Sequence, residues 1–421
     1  MATLRSTLNN SSSSSWHSST DLSPSSHIAN STSSHSIQCP SRSLLISLQS
    51  LPDDAISEMH LIYNPGEYIL VNFIIPFILI FGVLSNSVFL LTVVGNPGMR
   101  TITAFYLINL TLCDLCFLIC VAIHVYMTHG RSMYVYSDTL TSDTGCGVLS
   151  IFLYTCYFAS FGFITLVGFE RYKSMMRPLN NARLSGSKRC RTLKCVIGTW
   201  IVAIIIGVSL GLGLSRELLK FCVIWPDRQL YRDLPNILRL CTTSSSQMFE
   251  FALLLQLSVF TTFLVINARI YAQIIHRLFT QNQIYPLVRA AAPANVAGGG
   301  NANVQLAAEG LQNVRRPGII QIPVVQNDNY RALNSISKML VTNGVVFFLF
   351  LIPWYLNMLQ LTIAEITGVK IIPANRQKTV IFIGTLFNSL NSPMNALIYC
   401  LTSPRYRRAM WRTMTLCCRQ D

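Results

Sequence analysis

Residues 146–172 read CGVLSIFLYTCYFASFGFITLVGFERY, and from Gly147 to Phe169 the run holds no charged side chain. A helix needs about 20 apolar residues to cross the hydrocarbon of a bilayer. Cys146 and Arg171 stand about 37 Å apart along a helix that rises 1.5 Å per residue. The run therefore spans a membrane, with a cysteine at one face and the charged triplet Glu170-Arg171-Tyr172 at the other. Irregular backbone there would leave N–H and C=O groups unpaired in lipid, so the run is helical.

Six more stretches pass the same test, at roughly 68–94, 102–127, 192–214, 248–275, 336–362 and 378–401. The fold class is an all-α membrane protein, a seven-transmembrane helix bundle. Of 421 residues 51% are hydrophobic and 12% charged, about half the charged share of a soluble domain. The net charge of +15 invites a nucleic-acid reading until its placement is examined. With the loops assigned alternately to two sides, 21 of the 32 lysines and arginines fall on the inner side. Arg177, Arg183, Lys188, Arg189, Arg191 and Lys194 all fall in the second inner loop. This positive-inside bias puts the N-terminus outside the cell membrane and the C-terminus in the cytoplasm. The charge then meets the lipid bilayer and a cytoplasmic partner, not nucleic acid.

Residues 1–65 form a Ser-rich extracellular tail, expected to be disordered because it buries too little apolar area to offset ordering entropy. Asn9, Asn10 and Asn30 each open an N-x-S/T triplet and are candidate glycosylation sites. The triplet at Asn109 lies within a span and is discarded. Helices one to five occupy 66–277, and 333–402 hold helices six and seven. Between them, 278–332 is expected to be a flexible third inner loop, with its Ala290–Ala292 and Gly298–Gly300 runs. In 403–421, Pro404 opens a short amphipathic eighth helix with arginines on one face. Cys417 and Cys418 at its end are candidate palmitoylation sites or plain cytosolic thiols.

Asp114 lies midway along the second span, where a carboxylate costs about 2.5–3.5 kcal/mol and is functional by default. Asn86, Ser160, Asn391, Ser392 and Asn395 also lie at depth. Brought together, they cage one negative charge with oxygens, which suits a hard cation such as sodium. The same groups could equally form a structural hydrogen-bond cluster round a partly protonated acid. Cys146 is placed for oxidation at the outer face and needs a partner in the second outer loop. Cys222 is preferred and Cys241 is the alternative, since spacing does not fix connectivity. Cys39 in the tail leaves room for a second bridge.

These residues carry a resemblance. Asn86, the Leu110–Asp114 segment, Cys146, Glu170-Arg171-Tyr172, Trp200, Pro353 and the run Asn391-Ser392-Pro393-Met394-Asn395-Ala396-Leu397-Ile398-Tyr399 look like the landmarks of class A, rhodopsin-like G-protein-coupled receptors. They come in family order, one set per span, over about 65–408. The resemblance implies that an extracellular ligand activates a heterotrimeric G protein. Arg171 would meet the G protein once helix six swings outward, and Glu170 would restrain it beforehand. Tyr399 would swing in to support the open state. Pro353 would kink helix six near Phe347, with Asn86 and Trp200 as structural landmarks. Asp114, Ser160, Asn391 and Asn395 would hold an allosteric sodium ion. No other cofactor and no enzyme activity are implied.

Several positions depart from the pattern. Ala396 replaces the helix-seven proline, Leu351 the helix-six tryptophan, Val259 the helix-five proline and Asn267 its tyrosine. Leu333 stands where an acid would face Arg171 from the foot of helix six. The expected consequence is a resting state less firmly held, with raised basal signalling. Leu153 and Ser389 occupy the places of the aspartate that binds amines and the lysine that binds retinal, which removes both ligand classes. His124, Tyr154, Glu250, Gln256, Trp354, Tyr355 and Thr385 are candidate pocket residues, each with ordinary helix packing as its alternative. The run Cys222–Tyr231 looks like the outer loops of neuropeptide receptors, so the expected ligand is a peptide. Gly207-x-x-x-Gly211 fits either a homodimer face or a close helix contact. A transporter or channel would show repeats or several pore acids. A receptor-like scavenger or scaffold that does not signal remains the alternative, because the helix-six and helix-seven signatures are altered.

Overall fold

A computed structural model describes Cys39 and residues 43–417 apart from 51, 53–55, 57–61, 100, 130–133, 136, 138–141, 177–184, 215–216, 243–245, 292–326 and 370. Asn9, Asn10, Asn30 and Cys418 lie outside the described residues, as do the side chains of Leu333 and Cys417. The helices are α1 (Pro65–Gly95, with a wide turn at Leu70–Ile74), α2 (Ile102–His129), α3 (Asp143–Met176) and α4 (Ser185–Leu214). They continue with α5 (Ser246–Ala291), α6 (Asn327–Thr367), α7 (Ala374–Thr402) and α8 (Pro404–Cys417). Three strands, β1 (Leu44–Ser47), β2 (Glu217–Ile224) and β3 (Ile237–Thr242), form one small sheet.

Among the described residues, α1 to α6 are long and apolar enough to cross a membrane. The seventh helix has 29 residues, but Asn388, Ser389, Asn391, Ser392 and Asn395 dilute its apolar content. Ser389, Asn391, Ser392 and Asn395 are all buried, so its polar side faces the other helices and not lipid.

Sequence sets how the helices begin and meet. Asn64 and Glu67 form a capping box at the start of α1, each accepting the other's backbone N–H at 2.8 and 3.1 Å, with Pro65 in the first turn. Glu67 also accepts the Thr379 hydroxyl at 3.2 Å, tying α1 to α7. Asn86 is fully buried and donates to the Ser392 carbonyl at 3.2 Å. The Trp200 indole donates to Asn109 of α2 at 3.2 Å, so both structural landmarks tie helices together. A Cβ on Gly207 or Gly211 would lie 2.8 Å from Thr155 N or 2.7 Å from Ile151 N. The small-residue motif therefore seats α4 on the backbone of α3 within one chain, and the dimer-face reading falls away.

Two segment boundaries are corrected. Helix α5 runs to Ala291 and α6 begins at Asn327, so both ends of the expected flexible loop are helical. The Ala290–Ala292 run begins with residues that close α5, in keeping with alanine's strong helix propensity. The tail is not irregular throughout, since β1 pairs in parallel with β2, with Leu45 beside Cys222. Ile46 of β1, Leu48 just after it, and Phe221 and Val223 of β2 bury against Trp225, Tyr231 and Leu238. That separate small core supplies the burial that the Ser-rich composition lacked.

The disulfide expectation is also corrected. Cys146 bonds Cys241, and Cys222 bonds Cys39. Antiparallel register sets Cys222 opposite Ile237 and Cys241 opposite Leu218, so the two cysteines lie four strand residues apart, about 13 Å. Strand β3 returns toward the bundle and carries Cys241 to α3. Central strand β2 has the tail strand at its side, which brings Cys39 to Cys222.

Candidate functional site

The site is a column of buried polar and aromatic groups down the middle of the bundle. Asp114 on α2 is 3% exposed. Its Oδ2 accepts the Asn395 amide at 2.6 Å, and its Oδ1 accepts the hydroxyls of Ser160 at 3.4 Å and Ser392 at 3.5 Å. Asp114 thus meets three of the polar groups that lie at depth. Asn391 does not bond Asp114, and Ser392 takes that place, because the side chain one residue on is the one that α7 turns toward α2. The Asn391 Oδ1 is buried without a partner. One carboxylate with hydroxyl and amide oxygens is a donor set that fits a small hard cation. No cluster of three or more His, Cys, Asp or Glu suited to a metal occurs among the described residues.

Toward the α8 end lies an aromatic layer. Phe161 meets Phe260, Phe263 and Phe347 at centroid distances of 5.4, 5.7 and 5.3 Å, locking α3 to α5 and α6 edge to face and by stacking. Phe347 is 2% exposed and sits between Phe161 and Phe348. Pro353 lies inside α6 above this layer. It removes one N–H and crowds the preceding turn, which makes it the natural bend. Fully buried Leu351 fills the place expected of tryptophan, while Trp354 lies on Gly384 of α7.

Arg171 ends the column. It donates to the Thr103 hydroxyl on α2 and does not pair with Glu170, which is half-buried beside it. Its Nε is buried without a partner. The Tyr399 hydroxyl accepts the Asn343 amide of α6 at 3.2 Å, and its ring lies 4.9 Å from Phe89 and 6.0 Å from Tyr406 of α8. Burial pushes the Tyr406 phenol up, and the guanidiniums of Arg171 and Arg405 pull it back. Tyr172 is half-buried and faces α5.

The sheet end carries the candidate pocket residues. Tyr355 approaches the Thr261 hydroxyl to 3.3 Å and stacks on Phe260 at 4.6 Å. Gln256, one turn from Phe260, is 2% exposed, and neither polar atom of its amide has a partner. The Tyr157 hydroxyl, one turn from Phe161, is also buried and unpartnered. Tyr154 and Trp354 are half-buried against the core. Thr385 gives its hydroxyl proton to Ile381 of its own helix, which leaves the oxygen free only to accept. His124 and Glu250 are half-buried on α2 and α5.

Residues 85–399, well over half the chain, match the family described as 7 transmembrane receptor (rhodopsin family). The chain belongs to the rhodopsin family of seven-transmembrane receptors. It is a family of receptors, not of enzymes, and its members pass through the membrane many times. This rhodopsin-family chain is 29% identical to the human C-C chemokine receptor type 8 over 38% of its own length and 41% of the relative's. Against the type-1 angiotensin II receptor B of Xenopus laevis the figures are 27%, 37% and 40%. Against the allatostatin-A receptor of Bombyx mori they are 28%, 32% and 36%. The match thus spans less than half the length of each of these three relatives.

For a rhodopsin-family chain, the residues that sequence reading missed are informative. Tyr271, one turn beyond Asn267, is buried, and its hydroxyl donates to the Ile164 carbonyl at 3.4 Å. Its helical spacing with Ile274 and Leu278 was the available signal. Asn267 instead donates to Thr165 at 2.7 Å. Thr103 and Asn343, the partners of Arg171 and Tyr399, belong to no motif and became visible only through contact.

Proposed function

We propose that this receptor binds an extracellular peptide at the sheet end and activates a heterotrimeric G protein at the α8 end. The observation that carries the reading is Arg171: a half-buried cation where α3 ends, whose hydrogen bond among the described residues goes to a neutral hydroxyl. Such a contact is worth less than a charge-assisted ion pair. The resting state is therefore weakly held, and basal signalling is raised. Relatives named for a chemokine, angiotensin II and allatostatin-A support the peptide. The unpartnered Gln256 amide and Tyr157 hydroxyl support a ligand with uncharged hydrogen-bonding groups, as a peptide backbone has. A sodium ion on Asp114, Ser160, Ser392 and Asn395 would favour the resting packing of α2, α3 and α7.

The test is guanine-nucleotide exchange by purified receptor on each G-protein class, with and without a peptide library. Exchange above an Arg171→Ala control, rising further with a peptide, is the expected result. No exchange with any G protein or ligand would favour a scavenger that does not signal.

A further inference from the structure

A cavity of about 330 Å³ lies outside the column just described, on the seam between α3 and α5 at the α8 end. It is lined by Tyr172, Met176, Ala272, Gln273, His276 and Arg277. The charged residues Glu170, Arg171 and Lys173 of α3 and Arg277 of α5 follow the apolar runs of these two helices, so the cavity sits at the membrane edge. Tyr271, Ile274 and Leu278 of α5 are buried, whereas Ala272, Gln273 and His276 are exposed. The cavity thus opens on the flank of the bundle, away from its axis, at headgroup level.

Its lining has two basic side chains and no acid. Arg277 donates its Nε to the Met176 thioether at 3.2 Å, a weak neutral acceptor, and no acid pairs with its guanidinium among the described residues. Met176, Ala272 and the Tyr172 ring give the cavity an apolar wall. A charged fork over an apolar wall fits a phosphate joined to a hydrocarbon stem. The volume is at the small end of the roughly 300–1,000 Å³ typical of ligand pockets, which suits a headgroup and not a whole lipid.

We propose that this cavity is a binding site for the phosphate headgroup of an anionic membrane lipid, gripped by Arg277 and His276. Its flank position favours lipid over a protein docked on the bundle axis. The site does not depend on the signalling reading.

The test uses the full chain in nanodiscs of phosphatidylcholine doped with phosphatidylinositol 4-phosphate, with retained lipid counted by native mass spectrometry. Arg277→Gln with His276→Gln should weaken lipid retention about tenfold, as expected for losing charge-assisted hydrogen bonds. Arg277→Lys, which keeps the charge but loses the fork, should fall between, and Arg408→Gln on exposed α8 should cost far less than the double variant. Hydrogen exchange of 270–278 should slow with the doped lipid and not with inorganic phosphate. Retention unchanged in the double variant would overturn the proposal, and so would an equal loss in Arg408→Gln. Protection by inorganic phosphate alone would mean a soluble-anion site instead. Reduced G-protein exchange in undoped discs, without any lipid effect, would assign the cavity to protein contact.

Discussion

Gly344→Ala should raise basal signalling. A Cβ on Gly344 of α6 would lie 2.2 Å from Tyr271 Cζ and 2.4 Å from its Cε2 and Oη. Carbon atoms in contact prefer about 3.5–4.0 Å, so ring and helix must part by more than about 1 Å. The ring has little freedom to yield, since Tyr271 is 5% exposed and its hydroxyl bonds Ile164. Overpacking of this kind costs about 1–3 kcal/mol. If α6 moves outward in the signalling state, that state escapes the collision, and the ratio of open to closed receptor rises about 5–150-fold. The assay is ligand-free nucleotide exchange in membranes, normalised to surface receptor. Gly98→Ala serves as control, because nothing lies within 4 Å of its Cβ. A Gly344→Ala receptor at normal surface level, with basal exchange at or below wild type, would refute the reasoning.

Other consequences are as direct. Replacing sodium by N-methylglucamine should raise basal exchange of the wild type and leave Asp114→Asn indifferent; equal responses would remove the sodium site. Gly207→Val drives a side chain into the Thr155 backbone and should cost about 1–3 kcal/mol, seen as lost surface staining, whereas Gly198→Val, in open space, should stain normally. Trp200→Phe deletes the hydrogen bond to Asn109 and should lower stability by about 0.5–1.5 kcal/mol in a detergent melt; an unchanged Tm counts against that bond. Peptide mapping without reduction should find Cys146 joined to Cys241 and Cys39 to Cys222, and a Cys146–Cys222 peptide would contradict the outer sheet.

Six of the membrane-length helices, their order and the polar residues set among them could be read from the sequence. Length and apolarity are local properties, and lipid leaves the backbone no choice but helix. Asp114, Ser160, Asn395, Arg171 and Tyr399 were legible because a polar group at depth is costly and stands out against its neighbours. The tertiary structure alone decided what those groups touch: Ser392 and not Asn391 beside Asp114, and Thr103 and not Glu170 against Arg171. A helix turns 100° per residue, so a one-residue choice of partner depends on how the helices are rotated against each other. The same limit hid the contact of Tyr271 with Ile164 and the cysteine pairing, which rests on strand register. Both are fixed by contacts between segments far apart in the chain, and no local pattern encodes them.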